Sequence, residues 1–299
     1  MFSDARFAER SLEDAARRYC GNRSNRGHYH RDAALQNADG LQRYFADVLA
    51  ARRAEVAEWN AAWAPYVTGL PARILDAGCG PGFVALALAD RYPDAEVVGV
   101  DIEPEAIALG RAFGGESGRV NLRTGDLLAP PAADLGSFDL IVSRTTLEHV
   151  RDPQLALSRL LGSLNPGGAL FLETPNYLFP YEPHVRLWML PKSPKRLLAL
   201  ECRLFGHDAG FIDHLQFACD PLTFKRWAGE HGDVEIVDLM AEKLRGMLRG
   251  ERVAAVAWRQ TVVDAMRRRR PVAALLARAA PLVPFWPSVQ LLLIDRRPA

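Results

Sequence analysis

Cysteine is scarce: Cys20, Cys79, Cys202 and Cys219 are the whole set, widely scattered and with no C-x-x-C pair. That scarcity excludes a disulfide framework and a structural zinc site of the usual spacing. A surplus of either charge is also missing. Lys and Arg number 37 against 36 Asp and Glu, so no global field draws the molecule toward nucleic acid or another polyanion. There is no internal repeat and no low-complexity tract. The opening MFSDARFAERSLEDAARRY lacks the basic start and apolar core of a secretory signal. With thiols expected in the reduced state, the expectation is a cytoplasmic protein. One apolar stretch, residues 272–294, approaches the roughly 20 residues that span a bilayer. Pro281, Pro284 and Pro287 each remove a helix donor there, so a short helix, a proline-rich turn and a terminal strand are expected instead.

What is present is an alternating pattern. A long helix is expected from Leu41 to Tyr66, where Leu41, Phe45, Val48, Val56, Trp59, Trp63 and Tyr66 recur at helical spacing and Asp39 offers a cap. The segments ARILDAG, EVVGVDI, RVNLRTGDL, FDLIVSR and ALFLETP read as five strands. FVALALADRY, PEAIALGRAF and PQLALSRLLGSL read as the helices between them. Short apolar strands separated by helices of about ten residues make a parallel sheet covered on both faces. The fold class is α/β, doubly wound. LTFKRWAGEHG then reads as a helix, VEIVDLMA as a strand and VQLLLIDRR as a final strand. The expected organisation is one domain in four stretches. These are an N-terminal helical cap over 1–70, a ligand-binding α/β core over 71–175, an aromatic lid with its following helix over 176–232, and the end of the sheet with a basic helical insertion over 233–299.

The motif with the most chemistry is Ile74-Leu75-Asp76-Ala77-Gly78-Cys79-Gly80-Pro81-Gly82-Phe83, where the first strand hands over to the first helix. Glycines at alternate positions let a backbone pass close against a ligand, and the helix amides beyond offer free donors. A dinucleotide fingerprint reads G-x-G-x-x-G, whereas this turn reads G-x-G-x-G with Asp76 two residues ahead. A carboxylate there repels a pyrophosphate and attracts an ammonium group. S-adenosylmethionine carries an ammonium and a sulfonium and no phosphate, so charge favours that ligand. Asp101, ending the second strand, suits a pair of ribose hydroxyls. Asp126, after the third strand, suits an adenine amino group, with Ile102 and Leu127 on the two faces of the ring.

The segments ILDAGCGPGF, VVGVDIEPEAI, TGDLL, FDLIVSRTTLEHVRDP and LNPGGALFLETPN resemble, in order over residues 73–176, the successive motifs of class I S-adenosylmethionine-dependent methyltransferases. The resemblance implies a mostly parallel, seven-stranded Rossmann-like sheet with an antiparallel last strand, a role that VQLLLIDRR fits. It implies that Asp76 and the turn Gly78, Cys79, Gly80 and Gly82 hold the methionine end of the cofactor. Asp101 would hold the ribose, and Asp126 with Leu127 the adenine. Arg144, closing the fourth strand, completes the candidate cofactor set. LEHVRDP is similar to the branch containing ubiquinone-biosynthesis O-methyltransferases. In that branch a metal-binding Glu precedes the Glu-His pair by three residues; Thr145 stands there, so no metal is expected.

The activity so implied is methyl transfer, most readily to oxygen, on a small or lipid-linked acceptor. A neutral hydroxyl needs a base, and His149 and His184 are the first candidates, with His214 behind them. The stretch 176–215 is rich in aromatics and prolines, and ligands of open α/β sheets bind beyond the strands' carboxyl ends. Tyr177, Tyr181, Trp188 and His214 are therefore expected at the substrate. Residues 243–278 hold ten Lys or Arg against Glu251 and Asp264, a local net charge of +8. Peripheral membrane contact through 243–287 is the expectation attached to that charge.

Overall fold

The computed structural model describes residues 12–19, 38–114, 120–129, 135–182, 187–206, 210–250, 264, 268, 270–279 and 286–298. Helix α1 covers residues 12–19 and α2 is Ala38–Trp63. The alternating core is β1 (Arg73–Ala77), α3 (Phe83–Arg91), β2 (Glu96–Asp101), α4 (Pro104–Gly114), β3 (Val120–Thr124), β4 (Phe138–Arg144), α5 (Pro153–Gly162) and β5 (Leu164–Pro175). There follow the two-stranded hairpin β6 (Tyr181–Glu182) and β7 (Leu187–Trp188), α6 (Lys195–Leu204), α7 (Pro221–Gly229), β8 (Val234–Asp238), α8 (Leu239–Arg249), α9 (Arg270–Ala279) and β9 (Ser288–Asp295).

Seven strands form one sheet in the order β3-β2-β1-β4-β5-β9-β8. β1 to β5 run parallel where they pair, and β9 lies antiparallel between β5 and β8. The doubly wound α/β class read from the strand-helix rhythm is thus the observed one, and VQLLLID is the antiparallel strand. The strand order reverses between β1 and β4, where an open α/β sheet leaves a crevice at its carboxyl edge.

Side chains alternate across the sheet, and the alternation decides what meets at that edge. Ile74, Val97, Leu140, Val142, Phe171 and Leu292 face α2 and α3, packing on Val56, Trp59, Trp63 and Leu88. Leu75, Val98, Ile141, Leu170, Leu172 and Leu293 face the other way, onto Leu157, Leu161, Phe224 and Trp227 of α5 and α7. Counting in twos from the first set places Asp76, Asp101, Arg144, Glu173 and Gln290 together, on the α2–α3 side of the carboxyl edge. Trp59 and Trp63 of α2 close that side over Phe171, with ring centroids 5.0 and 5.1 Å away. Burial of such indole and phenyl rings supplies much of the packing energy.

Three local expectations are corrected. α2 is already helical at Ala38, so Asp39 lies within the helix and not at its cap position. β8 stops at Asp238, whose Oδ1 accepts from Ala241 N at 2.8 Å, so LMA opens a helix and does not extend the strand. The stretch after β5, expected to be irregular, contains α6, whose Leu198 and Cys202 are fully buried one turn apart.

Candidate active site

The glycine turn is held mainly by backbone hydrogen bonds. Gly78 N and Cys79 N both donate to Val100 O, at 2.8 and 3.0 Å, which ties the turn after β1 to β2. Gly80 N donates to Asp101 Oδ2 at 2.8 Å, and Glu103 N to Asp101 Oδ1 at 2.9 Å. Gly125 N, after β3, donates to Asp101 O at 2.8 Å. Asp101 therefore pins three connections at once, a structural duty that the sequence reading did not give it.

The three glycines are not equivalent. All have positive φ, 77° at Gly78, 53° at Gly80 and 80° at Gly82. A Cβ on Gly78 would stand 2.1 Å from Thr146 Cγ2, and one on Gly82 2.7 Å from Leu122 Cδ2. A Cβ on Gly80 would meet nothing within 4 Å. Two glycines thus admit neighbouring protein side chains, and only Gly80 presents open space to a ligand. Cys79 likewise turns inward: its thiol is buried among the α3-side core residues, and burial pushes its pKa up. Only its backbone is left for a ligand.

Asp76 carries the unusual electrostatics. It is buried, at 2% exposure, and its Oδ2 has no hydrogen-bond partner among the described residues. Burial raises its pKa from 3.8 to about 7; the backbone N–H of Ala85 opposes the rise, Asp101 adds to it and Arg144 opposes it. A buried acceptor without a donor is rare in folded proteins and calls for an explanation. An incoming ammonium group would supply the missing donor.

The other candidate residues distribute around this centre. Ile102 is exposed at 67% and Leu127 half-buried, so both hydrophobic side chains reach the surface beside Asp101 and Asp126. Asp126 is exposed, and its Oδ1 accepts from Leu128 N at 2.8 Å, closing a turn. Arg144 is engaged in a row across the strand ends: its Nε lies 3.3 Å from Glu55 Oε2 and 3.4 Å from Glu173 Oε1. Gln290 Nε2 donates to Glu173 Oε2. Burial raises the pKa of Glu173, against the lowering pull of Arg144.

Beyond that row opens a cleft of about 240 Å³, lined by Glu55, Glu58, Trp59, Glu173, Lys243 and Trp286, among others. The sequence reading missed it, because its walls come from α2, β5, α8 and β9. Their only sequence signal was the strand alternation that sets Glu173 and Gln290 beside Arg144.

His149 ends a short 3₁₀ helix, Leu147–His149, after β4; it is half-buried, with Nε2 3.9 Å from Glu148 Oε1. Thr145, at the position where a metal-binding Glu was sought, has φ 48°, a strained conformation for a β-branched residue and one that no sequence signal announced. Tyr177 is fully buried, its ring 4.7 Å from Phe217 and its OH donating to Glu182 Oε1 at 3.4 Å. Burial raises its pKa. It is a core residue here, while Tyr181 and Trp188 pair on the hairpin at 5.4 Å, Trp188 being exposed. His214 is exposed at the end of the 3₁₀ helix Gly210–His214. His184 lies outside the described residues. Among the described residues, no three His, Cys, Asp or Glu are placed to hold a metal ion.

A sheet of this order, with a glycine turn after β1 flanked by a buried aspartate and a second aspartate ending β2, has the α/β architecture of the class I methyltransferase type. The family model for a methyltransferase domain matches residues 75–172, about a third of the chain, and that stretch is a methyltransferase domain with the class I sheet order. The trans-aconitate 2-methyltransferase of Streptomyces avermitilis is 35% identical over 144 residues, 47% of this chain and 48% of that protein. The ubiquinone biosynthesis O-methyltransferase of Xanthomonas axonopodis pv. citri is 38% identical over 106 residues, 35% of this chain and 44% of that protein. The chain thus spans about half the length of these curated relatives. Among solved structures, a plantazolicin methyltransferase, BamL, in complex with a triazolic desmethylPZN analog and SAH superposes with a TM-score of 0.52 at 12% identity. That match covers 99% of this chain and 100% of that one, a likeness of fold.

Proposed function

We propose that the chain transfers a methyl group from S-adenosylmethionine to a small-molecule or lipid-linked acceptor, with oxygen as the accepting atom. The observation that carries the reading is the buried, partnerless Oδ2 of Asp76 beside the open face of Gly80. Asp76 and the glycine turn would hold the amino-acid end of the cofactor. The carboxylate oxygens of Asp101 each keep a lone pair for a ribose hydroxyl. Ile102, Asp126 and Leu127 would take the adenine. The cofactor supplies a methyl already activated on a sulfonium, so the protein's task is alignment. Good alignment of reactants is worth roughly 7–11 kcal/mol.

The cleft beyond Arg144 and Glu173 is the proposed acceptor pocket, being the next space along the strand ends from Asp76. His149 is the proposed base for a hydroxyl, as a half-buried imidazole with Glu148 beside it. Support for oxygen comes from the O-methyltransferase among the relatives. A second reading, methylation of an amine, would need the cleft to release its acids and indoles, since Glu58 pairs with Lys243, Glu55 and Glu173 pair with Arg144, and Lys243 and Arg144 lie over the Trp286 and Trp59 rings.

Incubation of purified protein with methyl-labelled cofactor and a cell extract tests the activity. Label appearing in a compound heavier by one methyl group supports it, and the mass and fragmentation of that compound decide between oxygen and nitrogen. Binding of the cofactor with no label transferred in any extract would instead leave a binding protein.

A further inference from the structure

α6 is apolar on two opposite sides, and the fold uses only one. Leu198 and Cys202 are buried, packed with Met189 and Ile212 in a small cluster of their own. Leu197, Leu200 and Leu204, spaced three and four residues apart, form a second stripe on the far side of the helix, and all three are exposed. Trp188, Leu190 and Phe205 are exposed as well, at about 70% each. Six of the eleven large hydrophobic side chains exposed among the described residues therefore fall between positions 188 and 205. Single exposed leucines are ordinary, whereas a concentration of this kind marks an interaction surface.

Charge indicates what that surface meets. Between 188 and 205 stand Lys192, Lys195, Arg196 and Arg203, with Glu201 the lone acid. Lys192 is paired with Asp220 at 2.9 Å, and Lys195 Nζ donates to Asp213 O at 2.9 Å. Arg196 and Arg203, two turns apart, are exposed and lie along one edge of the leucine stripe. Leucines for an apolar interior, indole and phenyl rings for the interface and guanidinium groups for anionic headgroups are the parts of a helix that lies in a membrane surface. In the basic stretch 243–278, Arg249, Arg268 and Arg278 are exposed, whereas two of the described cations are engaged within the fold. Lys243 pairs with Glu58 at 3.1 Å, and Arg245 Nε donates to Ala277 O at 3.0 Å. No helix among the described residues is long and apolar enough to cross a membrane.

We propose that the exposed stripe of α6, with Trp188, Leu190 and Phe205, docks on an anionic lipid bilayer. The segment follows β5 directly, so docking would bring the carboxyl edge of the sheet toward the membrane. That last consequence rests on the methyl-transfer reading; the docking does not.

Sedimentation of the full chain with sucrose-loaded vesicles, phosphatidylcholine alone or mixed with phosphatidylglycerol, tests it. Binding to the anionic vesicles should exceed binding to the neutral ones by roughly tenfold and weaken as salt is raised. The double variant Leu200→Glu/Leu204→Glu should lose about tenfold or more of that binding with an unchanged melting temperature. Arg196→Glu/Arg203→Glu should erase the preference for anionic lipid. Wild-type protein left in the supernatant with anionic vesicles would overturn the proposal. So would vesicle binding indifferent to both variants, or a wild-type dimer in solution that Leu200→Glu/Leu204→Glu converts to monomer without any lipid binding. S-adenosylhomocysteine binding, measured on the same preparation, separates the two readings: a chain that sediments but ignores the nucleoside keeps the docking and loses the methyl transfer.

Discussion

The loops after β1 to β4 and the segment after β5 leave the same edge of the same sheet and differ in what they do with their polar and apolar groups. In the loops, backbone amides are consumed internally, by Val100 O and by the carboxylate and carbonyl of Asp101, and beside them the buried Oδ2 of Asp76, near the end of β1, is left without a donor. In the segment after β5, the small core around Leu198 is complete, and it is hydrophobic surface that is left over. An unsatisfied polar group in a preformed turn suits a small polar ligand, whereas unsatisfied apolar area suits a large, soft one. The two halves of the edge are therefore read as recognising different things.

Substitutions within the glycine turn should break that contrast most sharply. Gly78→Ala forces a Cβ into Thr146 at a left-handed φ and should cost about 3–5 kcal/mol or prevent folding, as seen in a thermal melt. Gly80→Ala meets no atom and should cost only about 1–2 kcal/mol in stability. Its methyl group enters the ligand's space, so affinity for S-adenosylhomocysteine should fall at least about tenfold, or about 1.4 kcal/mol. Equal effects of the two changes on stability would refute the division of labour among the glycines.

A smaller effect is expected at the proposed base. His149→Ala should reduce turnover by about 10²-fold while cofactor affinity stays within about twofold of wild type. His184→Ala provides the parallel test of the second histidine. Unchanged turnover in both would remove them from the chemistry.

The pH dependence sharpens the electrostatic side. The folded-state pKa of Asp76, about 7, lies above the ordinary 3.8, so the folded form holds its proton longer than the unfolded one. Its contribution to stability is then greatest below about pH 4, falls as pH rises toward 7, and levels off above that. The melting temperature of wild type should decline relative to Asp76→Asn over that window. The ammonium group of S-adenosylhomocysteine prefers the ionised carboxylate, so its affinity should rise with pH up to about 7 and flatten beyond it. Smallest of all is the expected stability change for Trp188→Ala, within about 0.5 kcal/mol because the ring is exposed.

Much of the first half was legible in the sequence because local rules suffice there. Period-two apolar strands and the glycine turn are short-range patterns, and they placed Asp76, Asp101 and Asp126 at strand ends. What those residues touch was not legible. Thr146 fills the space at Gly78 from β4's end, and Leu122 fills that at Gly82 from β3, both contacts made only by the folded sheet. The cleft escaped notice for the same reason, its walls lying far apart in the chain. Tyr177 illustrates the opposite error: an aromatic after β5 looked available to a substrate, yet Phe217 and Glu182 close around it. α6 was hidden by the prolines around it, although the spacing of Leu198 and Cys202 was there to be seen.

The most direct test is a calorimetric titration of wild-type protein and Asp76→Asn with S-adenosylhomocysteine, and of wild type with NAD. The wild type should take up the phosphate-free nucleoside and ignore NAD, and the variant should bind it at least about tenfold more weakly while melting no earlier. Tight binding of NAD, or undiminished nucleoside binding by the variant, would contradict the assignment of the buried aspartate.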